Sequence, residues 1–384
     1  MLGLRSSGSG LVRAGVVTGL PGFVDSKGRI SLRRIIACLS AAVLVAGCTT
    51  HPPAPPPSSE PALPLFSVGV AQMEFVDQTP DEGQRHLSMN IFYPAQPPAP
   101  DATPLSLPFA TDLSIFNDLA PLTNGRRYPL ILFSHGRGSN GLQYAWFAQT
   151  LASHGYIVAA LDHYHANTYE SSIIYLANKL WQRPRDITLS ANVLLADPRW
   201  GPLIDPARIG VAGHSQGGFT ALWLGGARVN PDLYLAFQRG WKNNPTLPAY
   251  VRNQLPLDAG PAEGVADGRI KAVFAMAPGI IKSFGMDETG LRQLTVPTYI
   301  TVGARDTQTP PAQNAEFAAN NIPGAVLDVL PGNVDHEIFV NECNQDGRDE
   351  FPEACIDAPG VDRAAEHRAI GEAALKFFNV HLGG

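Results

Sequence analysis

The chain has 384 residues, 45% hydrophobic and 16% charged, enough apolar material for one large core and too much for a disordered chain. A net charge of −6 argues against a nucleic-acid partner, which needs a basic face. Past the first fifty residues no uncharged apolar run reaches the ~18 residues of a spanning helix.

In chain order, the first feature is a positive cluster, Lys27, Arg29, Arg33 and Arg34, followed by an apolar run that ends in Val45-Ala46-Gly47-Cys48. A charged stretch, a short apolar stretch and small residues describe a secretory signal, and residues 1–48 are assigned to it. The small residues leading directly into a cysteine resemble the lipobox of bacterial lipoproteins. That resemblance implies that Cys48 is lipidated and becomes the mature N-terminus. The expected location is then a bacterial cell envelope, with the protein lipid-anchored and facing the periplasm or outside. Residues 49–64 are proline-rich and read as an extended tether.

From residue 65 to 384 short apolar runs alternate with amphipathic ones. Strands are predicted at 66–71, 87–93, 130–134, 157–162, 209–212, 270–275, 298–302 and 325–330. Helices are predicted at 142–153, 173–196 with a break at Pro184, 217–224, 311–320 and 363–380. Several strands are continuously apolar, which suits a parallel sheet covered on both faces. The predicted class is therefore α/β, a mostly parallel sheet with ligands at the carboxyl ends of its strands. Residues 228–268 fit neither pattern and read as an insertion near the mouth of a site. Cys343 and Cys355 lie in a polar segment. They either close a short disulfide loop, which an oxidising compartment favours, or stay as free thiols. No metal-ligand spacing accompanies them, and no metal or cofactor is predicted.

The most informative segment is Arg208-Ile209-Gly210-Val211-Ala212-Gly213-His214-Ser215-Gln216-Gly217-Gly218. An apolar strand runs into G-x-S-x-G and then a helix. Glycines two before and two after a serine remove the clashes of a very tight turn, and Ser215 is the candidate nucleophile. A hydroxyl needs a base to attack. In this arrangement the chain order is serine, carboxylate, histidine. Of ten histidines, His336 has both that order and a loop placement after a strand. Asp306, at the end of the 298–302 strand, is the favoured carboxylate, with Asp287 and Asp335 as rivals. Upstream, a strand runs into Ser134-His135-Gly136-Arg137-Gly138. This H-G-x-G loop offers the Arg137 amide, and the residue after the serine offers the Gln216 amide, as two donors for a tetrahedral oxyanion.

Blocks such as Ser134-His135-Gly136, Ser153-His154-Gly155-Tyr156, Asp162-His163 and the elbow around Ser215 resemble the bacterial predicted dienelactone hydrolases related to platelet-activating-factor acetylhydrolase. Polyester-degrading hydrolases are further relatives of that group. The resemblance covers nearly all of the body. It implies the α/β-hydrolase fold and a carboxylic ester hydrolase, with Ser215, Asp306 and His336 as triad and the Arg137 and Gln216 amides as oxyanion hole. It also implies a small-molecule or lipid ester substrate and no cofactor. This elbow carries serine where true dienelactone hydrolases carry cysteine. The strand before Asp306 ends in Ala275-Met276-Ala277-Pro278, without the carboxylate that animal acetylhydrolases place there. Two other readings stay open on residues alone: a non-catalytic envelope lipoprotein that binds through this fold, and a peptidase or amidase.

Overall fold

Every residue of 128–134 and of 157–162 is buried, the mark of strands covered on both faces. In the computed structural model, which describes residues 65–78, 83–172, 174–260 and 265–383, these runs are β4 and β5 of one sheet. The expected signal segment, Cys48 and the tether lie outside the described residues.

The strands are β1 (Ser67–Asp77), β2 (Arg85–Ala95), β3 (Ile115–Asn117), β4 (Tyr128–Ser134), β5 (Ile157–Asp162), β6 (Ile204–His214), β7 (Ile270–Met276), β8 (Thr298–Gly303) and β9 (Val326–Leu330). Their order is β3-β1-β2-β5-β4-β6-β7-β8-β9. β2 runs antiparallel to both β1 and β5, while β5, β4 and β6 to β9 pair in parallel. All the predicted strands are present. β1 continues past residue 71 to Asp77, and β6 begins already at Ile204. β3 carries no alternating pattern over its few residues and was not anticipated.

The helices are α1 (Ala145–Ser153), α2 (Gln182–Ala196), α3 (Gln216–Gly225), α4 (Pro231–Lys242), α5 (Ala249–Gln254), α6 (Glu288–Leu291), α7 (Ala315–Asn321), α8 (Gln345–Glu350), α9 (Pro352–Cys355) and α10 (Arg363–Leu382). Neighbouring residues of a strand point to opposite faces, and β7 shows which helices share one. Phe274 packs its ring on Phe147 of α1 and Phe378 of α10, whereas Val273 lies against Gly225 of α3. α1 and α10 therefore cover one face and α3, with α2 beside it, the other. Phe274 is fully buried, and its truncation to alanine would cost about 3–5 kcal/mol.

One expected break is corrected. Pro184 does not interrupt a helix but sits third in α2, where its missing N–H is one that lacks an intrahelical acceptor anyway. The interruption falls just before, between a π-helical turn at Ile174–Asn178 and Gln182. Residues 228–268 contain α4 and α5. Asn230 caps α4 by accepting from the amides of Asp232 and Leu233, with Pro231 as its first residue. Cys343 and Cys355 form a disulfide. A loop of this length stabilises by about 3 kcal/mol in the chain-entropy picture. No described helix is long and apolar enough to cross a membrane.

Candidate active site

Ser215 stands between the end of β6 and the start of α3, with φ 55° and ψ −119°. A positive φ is strained for any side chain but glycine. The turn holds because its backbone is committed on both sides. The Ser215 N–H donates to the Met276 carbonyl (2.9 Å), and its own carbonyl accepts from Phe219 and Gly279 (both 3.1 Å). The flanking glycines have no substitute. A Cβ on Gly213 would strike the Gly217 carbonyl, and one on Gly217 would strike the Ser134 carbonyl.

Asp306 follows β8, and His336 opens a short 3-10 turn, His336–Phe339, after β9. His336 Nδ1 donates to Asp306 Oδ2 at 2.7 Å. Thr309 adds its amide to Oδ1 (2.7 Å) and its hydroxyl to Oδ2 (2.7 Å). Burial alone would raise the Asp306 carboxyl, but the bonds from His336 and Thr309 outweigh it and hold the group below its usual value. Both sequence rivals are occupied elsewhere. Asp287 caps α6 through the Gly290 amide and accepts from Asn230, and Asp335 caps the His336 turn through the Glu337 amide.

Side chains from β6, α10 and α1 grip that turn by its carbonyls. His214 Nε2 donates to His336 (3.1 Å), His367 Nε2 to Ile338 (2.8 Å) and Trp146 Nε1 to Phe339 (2.8 Å). Burial drops the His367 pKa to about 3, so this ring serves as a neutral donor.

The Arg137 amide belongs to a peptide plane whose other end, the Gly136 carbonyl, is clamped. It accepts from His135 Nδ1 at 2.7 Å and from the Ser139 amide at 3.4 Å. The His135 tautomer is set by its far nitrogen, which accepts the His163 amide (3.1 Å). A trans peptide points its N–H opposite its carbonyl, so fixing Gly136 fixes the direction of the Arg137 amide. Gln216 is the first residue of α3, and its amide has no acceptor within the helix.

Ser215, His336, Gly136 and Arg137 line one cavity of about 150 Å³, with Tyr144, His214, Gln308 and Glu337 among the other walls. The Arg137 guanidinium lies 5.6 Å over the ring of Trp241 of α4, while no described residue of 228–268 lines the cavity itself.

Beneath the H-G-x-G loop the same residue types form a continuous hydrogen-bonded chain. Ser134 Oγ donates to His163 Nε2 (2.8 Å), and His163 Nδ1 donates to Asp186 Oδ2 (3.1 Å). Asp186 also accepts from Arg85 (2.7 Å), which in turn holds Asp77. Arg183 donates to Ser134 Oγ and to the His135 carbonyl. Burial is the dominant influence here and pushes the Asp186 carboxyl up to about 6 despite Arg85.

The mostly parallel sheet with helices on both faces is the α/β-hydrolase fold. Residues 111–186 match the family described as platelet-activating factor acetylhydrolase, isoform II. The acetylhydrolase of Canis lupus familiaris is 30% identical over 161 residues, covering 31% of this chain and 36% of the relative. That of Bos taurus is 29% identical over 146 residues, covering 27% and 33%. The chain thus matches about a third of the length of these relatives. The family match carries the H-G-x-G loop and stops before Ser215. A ferulic acid esterase from Streptomyces cinnamoneus superposes with a TM-score of 0.59 at 20% identity, over 85% of this chain and 93% of the other. That likeness establishes the fold.

Sequence reasoning missed Thr309, Tyr144 and Arg183 as parts of the site. Thr309 sits three residues after Asp306, a spacing that local side-chain capping often uses. Tyr144 and Arg183 carry no local signal, since only the assembled sheet brings them to the loop.

Proposed function

We propose that the protein is a serine carboxylic ester hydrolase. Ser215 is its nucleophile, His336 the general base, Asp306 the carboxylate that orients the ring, and the Arg137 and Gln216 amides the oxyanion hole. The observation that carries this reading is the Asp306–His336 pair opening onto the same cavity as the strained Ser215 turn. In the reaction His336 takes the Ser215 proton as Oγ attacks the ester carbonyl, and the two amides hold the resulting oxyanion. His336 then protonates the leaving alcohol, and water, deprotonated by the same ring, releases the acid. The small cavity favours short acyl groups. The amino-terminal reading belongs to the same proposal: a chain lipidated at Cys48 and held in a bacterial envelope would meet its ester substrate at or near a membrane.

The test is a panel of p-nitrophenyl esters of rising acyl length, with the matching anilides alongside. Acetate and butyrate esters are expected to turn over, long-chain esters to fall away, and anilides to lag far behind. No turnover of any ester by the folded chain rejects the reading, and equal rates on anilides would move it to the amidases.

A further inference from the structure

Tyr144 and His214 contribute no step to the chemistry just described, yet they join its two halves. Both are 2% exposed. Tyr144 Oη accepts the Gly136 N–H at 3.1 Å. Its own proton can reach His214 Nδ1 at 2.9 Å, with the Ser139 side chain as a second neighbour of the hydroxyl. An imidazole that accepts at Nδ1 carries its proton on Nε2, and His214 Nε2 faces the His336 carbonyl at 3.1 Å. Burial and the neighbouring His336 push the His214 pKa well down, which keeps the ring in this neutral form. The direction is fixed from the far end: the His336 carbonyl can only accept, so the His214 proton sits on Nε2 and Nδ1 is left to accept from Tyr144. There is no slack around the chain either. A Cβ on Gly136 would sit 3.0 Å from Tyr144 Oη and 3.3 Å from His214 Nδ1. The His214 ring packs against that of His336, centroids 4.6 Å apart.

We infer that Tyr144 and His214 are positioning residues that tie the oxyanion loop to the general base, running Gly136 N–H to Tyr144 Oη, Tyr144 O–H to His214 Nδ1, and His214 Nε2–H to the His336 carbonyl. This rests on the hydrolase reading above. Gly136 precedes the Arg137 amide, and His336 supplies the ring that must reach Ser215. The relay therefore sets the distance between the place where negative charge develops and the place where the proton goes. A displacement of about 1 Å in such a pair costs on the order of a hundredfold in rate, so the spacing is worth a dedicated brace.

The experiment uses the full chain with p-nitrophenyl acetate and with a trifluoromethyl ketone, whose adduct with the serine carries an oxyanion. Tyr144→Phe keeps the ring and deletes both hydrogen bonds. It is expected to lower kcat roughly 10- to 100-fold with KM within about twofold, and to weaken the ketone by the same factor. His214→Gln keeps an amide N–H near the position of Nε2 and is expected to retain more kcat than His214→Leu. The double variant Tyr144→Phe/His214→Leu is expected to be little worse than the poorer single, since both cut one chain. Unchanged kcat and ketone affinity in Tyr144→Phe, or equal kcat in His214→Gln and His214→Leu, overturns the inference. If Tyr144→Phe fails to fold, the two His214 variants decide. A wild-type chain inert to both the ester and a fluorophosphonate would instead sink the hydrolase reading itself.

Discussion

Two serine–histidine–aspartate sets lie among the described residues: Ser134, His163 and Asp186 are joined end to end by hydrogen bonds, whereas Ser215 shares a cavity with a hydrogen-bonded His336–Asp306 pair. Ser134, His163 and Asp186 are 0%, 0% and 1% exposed. Ser134 is an ordinary strand residue at the end of β4, its hydroxyl held between Arg183 and His163. Ser215 stands on a positive-φ turn that opens onto a cavity. The carboxylates diverge as well: Asp186 is pushed up to about 6 by burial, whereas Asp306 is held down by the His336 and Thr309 bonds. A trio of side chains is therefore not yet chemistry. Backbone geometry and access set the proposed reaction centre apart from a buried brace.

The sharpest way to break that comparison is to delete each hydroxyl. Ser215→Ala should cut ester turnover by about 10⁵-fold or more with little change in melting temperature. Ser134→Ala should leave most turnover in place and cost about 1–2 kcal/mol of stability, because His163 and Arg183 lose a buried partner. Urea titration and ester assays on both read the two effects separately, and a Ser134→Ala enzyme as dead as Ser215→Ala would contradict the assignment.

The carboxylates give the next largest contrast. Asp306→Asn should lower kcat about 10⁴-fold by turning the His336 ring to the wrong tautomer. Asp186→Asn should leave most turnover in place and act on folding instead, since it alters the buried acceptor shared by Arg85 and His163. An Asp186→Asn enzyme as slow as Asp306→Asn would contradict the contrast.

A smaller effect is the pH dependence of stability. Both carboxyls start from an ordinary value of 3.8. Asp186 is raised in the fold, so its contribution is full below that value and is lost as pH rises through about 6. Asp306 is lowered, so its contribution is present above that value and is lost as pH falls through the lowered pKa. Melting curves against pH should therefore flatten between about pH 4 and 6 in Asp186→Asn, and below about pH 4 in Asp306→Asn. Parallel curves for parent and variants would refute the opposed shifts.

Much of this architecture was legible in the chain. Continuous apolar runs such as 130–133 and 272–276 gave the central strands, and the elbow glycines at 213 and 217 gave the turn because sterics leave no other residue there. Family likeness supplied the fold's name and agrees with the sheet order. What escaped were relations that need the folded sheet. The pattern shows Ser134 and His163 as strand-end polar residues, and nothing local says that Asp186, on a later helix, completes a chain with them. Tyr144 is likewise a plain aromatic beside α1 until β6 brings His214 to its hydroxyl. The short α5 was hidden because it buries no residue, whereas α4 carries an amphipathic period, with Asn230 and Pro231 as start signals, that the sequence did display.

Fluorophosphonate labelling followed by peptide mapping tests most directly which serine is activated. A single adduct is expected, on the peptide carrying Ser215, that disappears in Ser215→Ala and leaves Ser134 unmodified. An adduct on Ser134, labelling that survives Ser215→Ala, or no adduct on the folded wild-type chain would contradict the Ser215 assignment.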